Sequence, residues 1–185
     1  MQSSPMNTSA QSLWHYNALL LGQAAGMVAR LQREAQAGFV YAQAVGPHVR
    51  HVIEHYQALL HALSSDTACV DYDARNRDLR VQTDPTQTLS ALGHLMEKMK
   101  SLAANESLNL ETPLTTRLKA GSQGELELSV TTTLGRELLF LSSHSVHHYA
   151  LLAQYCRAAG VELGHDFGKA PATVAFEMAH AAIGA

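Results

Sequence analysis

Between Leu134 and Ala159 apolar residues recur at helical spacing, and two histidines, His144 and His148, fall inside that run. At about 100° of rotation per residue, His148 lies about 40° round from His144 and one turn further along. Leu134, Leu141, Leu151, Leu152 and Tyr155 fall on the same side, so both imidazoles are expected on the stripe a helix turns toward its core. A neutral imidazole buried there without a partner costs roughly 2 kcal/mol or more. The pair spans roughly 6 Å of helix rise and is able to hold one metal ion. The segment must therefore be a helix, and it must have neighbours.

The same periodicity supplies them. Leu13, Leu20, Met27 and Leu31, with Ala24 between them, predict a helix from Ser12 to about Ala37. A second runs from Pro47, tolerated in a first turn, to about Ser64. Asp84-Pro85 is a start signal for a third, which carries Leu89, Leu92, Leu95, Met96 and Met99 to about Ala104. The fourth runs from about Thr133 to Ala159, and Gly160 ends it. Residues 65–84 read as a long crossing loop with a short turn of helix. Leu108/Leu110 and Leu126/Leu128/Val130 alternate with polar residues on either side of a turn at Ala120–Gly124. Residues 107–131 are thus expected to be a small β-hairpin insertion between the third and fourth helices. Residues 1–11 read as a frayed start, and 161–185 as a surface tail with a short helix over Thr173–Ala182. The expected fold is all-α, a four-helix bundle in a single domain over 1–185.

Composition narrows the function classes. Of the 185 residues 46% are apolar and 16% charged, a globular balance. Thirteen basic against sixteen acidic residues leave no excess to hold a phosphate backbone, so no nucleic-acid partner is expected. No Lys or Arg precedes Arg30, and the apolar stretch Ala18–Leu31 is broken by Gly22, Gln23, Gly26 and Arg30. Neither an export signal nor a membrane span is expected, and the cytoplasm is the expected location. Cys69 and Cys156 lie far apart with no CxxC spacing, against a disulfide framework or a zinc–thiolate site. The unusual count is eleven histidines.

His48, His51 and His55 are among those on the second helix. Val52, Tyr56, Leu59 and Leu63 set its apolar side, and His55 lies nearer to the middle of it than His51; His48 sits in the first turn. The expected metal ligands are His55, His144 and His148, with His51 in reserve and His147 off the edge of its stripe. Three imidazoles with open positions are typical of catalytic centres rather than closed structural ones, and Zn, Ni, Fe or Mn suits them. A free imidazole titrates near 6.5, so metal affinity is expected to fall as pH drops through about 6.

The residues that carry these histidines resemble the DinB/YfiT-like superfamily, read as metalloenzymes. Val49-Arg50-His51-Val52-Ile53-Glu54-His55 resembles its first motif, with the ligand at His55. His144-Ser145-Val146-His147-His148 resembles the second, with ligands at His144 and His148. Gly46-Pro47-His48-Val49-Arg50-His51 and Asp71-Tyr72-Asp73-Ala74-Arg75-Asn76-Arg77-Asp78 resemble one subgroup of it. The likeness covers roughly residues 45–160. Tyr149-Ala150-Leu151 stands where Arg-Gly-Gln is common in the family. The resemblance implies a divalent-metal enzyme of hydrolase-like chemistry, or one that transfers a low-molecular-weight thiol, acting on a small molecule and working as a homodimer. The alternative is a non-catalytic, stress-related metal-binding interaction protein.

Other features carry weaker expectations. Asp71, Asp73 and Asp78 with Arg75, Arg77 and Arg80 read as surface ion pairs, the alternative being a loop that grips an anion. Glu54 and Glu137 are candidate general bases, although Glu54 points about 100° away from His55. His94 is a boundary residue that also suits the cavity wall, and Cys156 is a small core residue. Ala24, Ala25, Ala29, Ala158 and Ala159 offer a smooth surface for a second copy.

Overall fold

The computed structural model describes residues 8–105 and 109–181. Its elements in chain order are α1 (Thr8–Glu34), α2 (Tyr41–Ala44), α3 (Gly46–Ser64), β1 (Cys69–Asp71), α4 (Leu79–Thr83), α5 (Pro85–Ala103), β2 (Pro113–Ala120), β3 (Leu126–Thr133), α6 (Leu134–Ala158) and α7 (Pro171–Ala181). The described residues are mostly helical and form one small three-stranded sheet. The long helices α1, α3, α5 and α6 correspond to the four expected from periodicity. α1 packs against α5 and α6, and α3 against the same two. Among the described residues, no helix is long and apolar enough to cross a membrane.

Local chemistry sets the ends. Asp84 accepts a hydrogen bond from the Thr86 backbone N–H at 2.8 Å, and Pro85 fills the first turn of α5 where no N–H is needed. Thr133 caps α6 through the Arg136 N–H. Gly160 closes α6 at φ 74°, with Gly160 N bonded to the Arg157 carbonyl and Val161 N to the Cys156 carbonyl. This is the paired closure that favours glycine in the left-handed region. Gly46 serves approach instead: a Cβ there would lie 1.8 Å from the Gln82 carbonyl oxygen at the end of α4.

The core lies between the long helices. Trp14, Leu21, Met27, Ile53, Leu59, Leu92, Met99, Leu134, Leu138 and Leu141 are all fully buried. Each such aliphatic or aromatic side chain contributes roughly 1.5–3 kcal/mol through burial. On α6 the buried stripe runs through Leu134, Leu138, Leu141, Ser145, Tyr149, Leu152 and Cys156. It is rotated from the expected one: Tyr149 is wholly inside, its hydroxyl bonded to the Leu20 carbonyl at 2.9 Å, whereas Leu151 is exposed. His144 and His148 therefore stand on the flank of the stripe, half-buried.

The 65–84 crossing contains a strand as well as the short helix α4. β1 pairs in parallel with β2, and β2 pairs antiparallel with β3. The hairpin lies later than expected, at 113–133; Leu110 is in a turn, and Leu108 lies outside the described residues, as do residues 1–7 and Ala182. α1 begins at Thr8, so residues 8–11, read as frayed, are helical. Ala24 and Ala159 face the protein's own core and offer nothing to a second copy, leaving Ala25, Ala29 and Ala158 at or near the surface.

Candidate metal centre

α3 and α6 pack together and bring five imidazoles into contact: His48, His51 and His55 from α3, His144 and His148 from α6. Spacings of three and four residues put the α3 histidines on one face, and the HxxxH spacing does the same on α6. Within the cluster, one ligand nitrogen each from His51, His55 and His144 lie within 4.8 Å of one another. His55 is 6% exposed; the other two are half-buried.

Hydrogen bonds fix the tautomers. Nδ1 of His55 lies 2.8 Å from the His51 backbone carbonyl, which only accepts, so Nδ1 donates and Nε2 keeps its lone pair. That is the usual outer support of a metal-binding imidazole. His51 Nε2 lies 2.9 Å from His144 Nε2. The Arg75 guanidinium donates from Nη1 to His51 Nδ1. An arginine has no acceptor, so the His51 proton sits on Nε2, between the two rings. Coordination through His51 Nε2 requires that proton to leave and Arg75 to turn from a ring nitrogen that then carries a hydrogen.

The expected ligands His55 and His144 are both in the three-nitrogen group, and its third member is the reserve, His51. His148 stands beside it, its ring centroid 4.6 Å from that of His144 and 4.8 Å from that of His51. Its Nδ1 meets Nδ1 of His48 at 3.3 Å, and His48 in turn packs on Tyr155. His147 is exposed and touches His148 edge-on; His94 is exposed on α5 and lines nothing here.

Burial holds the imidazoles neutral. It lowers His144 to about 4, aided by His55, His147 and Arg75 nearby, and lowers His148 to about 4, aided by His144, His48 and His147. His51 is pushed further down by burial, then by His55 and Arg75. Neutral imidazoles close together suit a divalent ion, so the donor set fits the expected metal once the His51 proton has left.

An aromatic wall encloses one side. Tyr72 stacks on His55 at 5.0 Å, and Phe140 stacks on His144 at 5.4 Å and packs against Tyr72 at 5.2 Å. The Tyr72 hydroxyl donates to Glu137 Oε2 at 2.6 Å. Glu137 is wholly buried, and its Oε1 accepts from Thr116, Thr132 and Arg136. With its lone pairs so engaged, Glu137 ties the sheet and Tyr72 to α6 and is no free base. Glu54 is 4% exposed and accepts from the Asp78 N–H at 3.2 Å. Arg50 and Arg75 stand 3.9 Å from its two oxygens, and Oε2 has no hydrogen-bond partner. The Asp/Arg loop divides: Asp78–Arg80 is an exposed pair, Asp71 holds Arg117, and Arg75 turns inward. Sequence reasoning missed Tyr72 and Phe140, whose roles rest on long-range packing. A second group, His165, Asp166 and Glu177, already surrounds the Lys169 ammonium, 2.6 Å from Glu177.

No family model and no solved structure matches the chain. Among curated proteins it is similar to FK506-binding protein 5 of Rhizopus delemar (strain RA 99-880 / ATCC MYA-4621 / FGSC 9543 / NRRL 43880), with 27% identity over 111 residues. Those residues are 60% of this chain and 28% of that protein, so the chain spans little more than a quarter of the relative it resembles.

Proposed function

We propose that the chain is a metal-dependent enzyme built on a four-helix bundle of the DinB/YfiT-like kind. His55 and His144 hold one divalent ion together with His51 or His148. The observation that carries this is the group of three imidazole nitrogens within 4.8 Å, one of them oriented by a backbone carbonyl. Such an ion supplies Lewis acidity, which polarises a substrate oxygen or activates a thiol or water near neutral pH. The chain's own residues keep the imidazoles neutral, hold the His55 ring between Tyr72 and His144, and exclude water from one side with Tyr72 and Phe140. The ion is Zn, Ni, Fe or Mn, since imidazoles alone do not separate them. Hydrolase-like chemistry or transfer of a low-molecular-weight thiol on a small molecule belongs to this reading, as does pairing into a homodimer through Ala25, Ala29 and Ala158. The free thiols Cys69 and Cys156 fit a reducing compartment such as the cytoplasm.

The second reading is a non-catalytic metal-binding protein. It is favoured by the crowding of the cluster, where His48 and His148 crowd in beside the three nitrogens. Metal analysis of untagged protein followed by hydrolysis and thiol-transfer assays separates the two. One equivalent with turnover supports the enzyme; one equivalent without turnover supports the binder.

A further inference from the structure

Arg75, which bonds His51, also lines a cavity of about 760 Å³ together with Glu54 and His61 of α3. It is walled by α3, by the chain between Ser65 and Asn76, and by Arg117 of β2. Small-molecule sites have volumes of roughly 300–1,000 Å³. Two charged groups in this wall are incompletely bonded. Arg75, with 17% of its side chain exposed, has a buried Nε without a hydrogen-bond partner. Glu54 has the unpartnered Oε2, close to Arg75 but outside hydrogen-bond reach at 3.9 Å. Leaving such groups unmatched is costly, the more so when they are charged.

The balance of charge in the wall decides which ligand fits. Asp71 is fully engaged: it accepts from the N–H groups of Asp73 and Ala74 and holds Arg117 at 2.7 Å. Glu54 already stands between two guanidinium groups, those of Arg50 and Arg75. Asp71 is thus committed and Glu54 is flanked by two guanidinium groups, while Arg75 has given Nη1 to His51 and keeps Nε without a hydrogen bond. Gln57 and Asn76 add neutral amide donors. A guanidinium fork matches two coplanar oxygens of one oxyanion.

We propose that this cavity binds a small-molecule oxyanion, a carboxylate or a phosphate, gripped by Arg75, and that the substrate of the histidine centre is anchored here. The second half rests on the metal-enzyme reading; the first does not. The Arg75 guanidinium that lines the cavity also bonds His51. An anion that draws Arg75 toward the cavity also removes the donor that opposes coordination through His51.

Metal-free wild-type protein, titrated with inorganic phosphate and separately with succinate at constant ionic strength in chloride, tests this. Calorimetry gives stoichiometry, and the ¹⁵N resonance of Arg75 Nε reports the contact. One equivalent should bind saturably and shift that resonance, and the probe that does so identifies phosphate or carboxylate. Arg75→Gln should weaken binding about tenfold or more. Arg75→Lys, which keeps the charge and loses the fork, should weaken it less and guards against a folding defect. Arg80→Gln, at an exposed pair outside the cavity, should bind as wild type. No saturable shift with either probe, or equal affinity in both Arg75 variants, overturns the proposal. Because the protein is metal-free, failure here is distinct from failure to bind metal.

Discussion

The Nδ1 hydrogen of His55 is held by the backbone carbonyl of His51, one helical turn earlier, at 2.8 Å. The bond costs α3 little, because a side chain four residues on already leans back over that carbonyl. It also leaves the Nε2 lone pair of His55 aimed into the cluster, while Tyr72 stacks flat on the ring and prevents it from turning. His55 is therefore preorganised before any ion arrives, whereas His51 is not, since Arg75 occupies its Nδ1.

That asymmetry sets the first prediction. His55→Ala and His144→Ala should each abolish stoichiometric metal binding. His51→Ala and His148→Ala should differ from each other, and the larger loss identifies the third ligand. The nitrogen group predicts His51; the resemblance to the DinB/YfiT-like motifs predicts His148. Cobalt substitution read by visible absorption, with affinities from competition against a chelator, decides between them. Equal, near-wild-type affinity in both variants would contradict a three-imidazole centre.

A second prediction concerns Glu137. It is wholly buried and accepts from Tyr72, Thr116, Thr132 and Arg136. Glu137→Ala strands two buried hydroxyl donors and a half-buried one, and should destabilise the protein by about 3 kcal/mol or more, measured by urea unfolding. Tyr72→Phe leaves the buried Glu137 Oε2 without its donor, should cost about 2 kcal/mol or more, and keeps the ring over His55, so metal affinity should change little. A large drop in metal affinity with no loss of stability would mean that Tyr72 acts on the centre through its hydroxyl.

Much of this was readable in the sequence, and the exceptions share a cause. HxxxH on a helix, the Asp84-Pro85 start and the Gly160 stop are local signals, and local geometry honours them. The first strand was placed too early because the inward positions carry Leu114 and Thr116 on β2 and Thr132 on β3, whereas the alternating Leu126, Leu128 and Val130 are exposed. Those threonines face inward to bond Glu137, which breaks the apolar alternation that marks a strand. β1 has only three residues and exists because β2 is beside it. His51 looked peripheral by helical angle alone; its nearness to His144 depends on how α3 and α6 meet.

The third prediction is the pH dependence of the metal-free protein. His144 and His148 titrate at about 4 when folded, below the ordinary value of 6.5. The unfolded chain binds protons first as pH falls, so their contribution to stability is intact above 6.5 and is lost as pH falls toward 4. The melting temperature should decline over that window. Metal bound by these imidazoles should resist protons further than a free imidazole would, so release should fall below the pH of about 6 expected from the sequence. A melting temperature flat from pH 7 to 4, or release complete by pH 6, would contradict the burial of the cluster.

Metal content of the purified chain tests the central claim most directly. Untagged wild-type protein, loaded with one divalent ion and dialysed, should retain about one equivalent by elemental analysis. The His55→Ala, His144→Ala double variant, folded by circular dichroism, should retain none. Full occupancy in that double variant, or none in the wild type, would contradict a histidine-held metal centre.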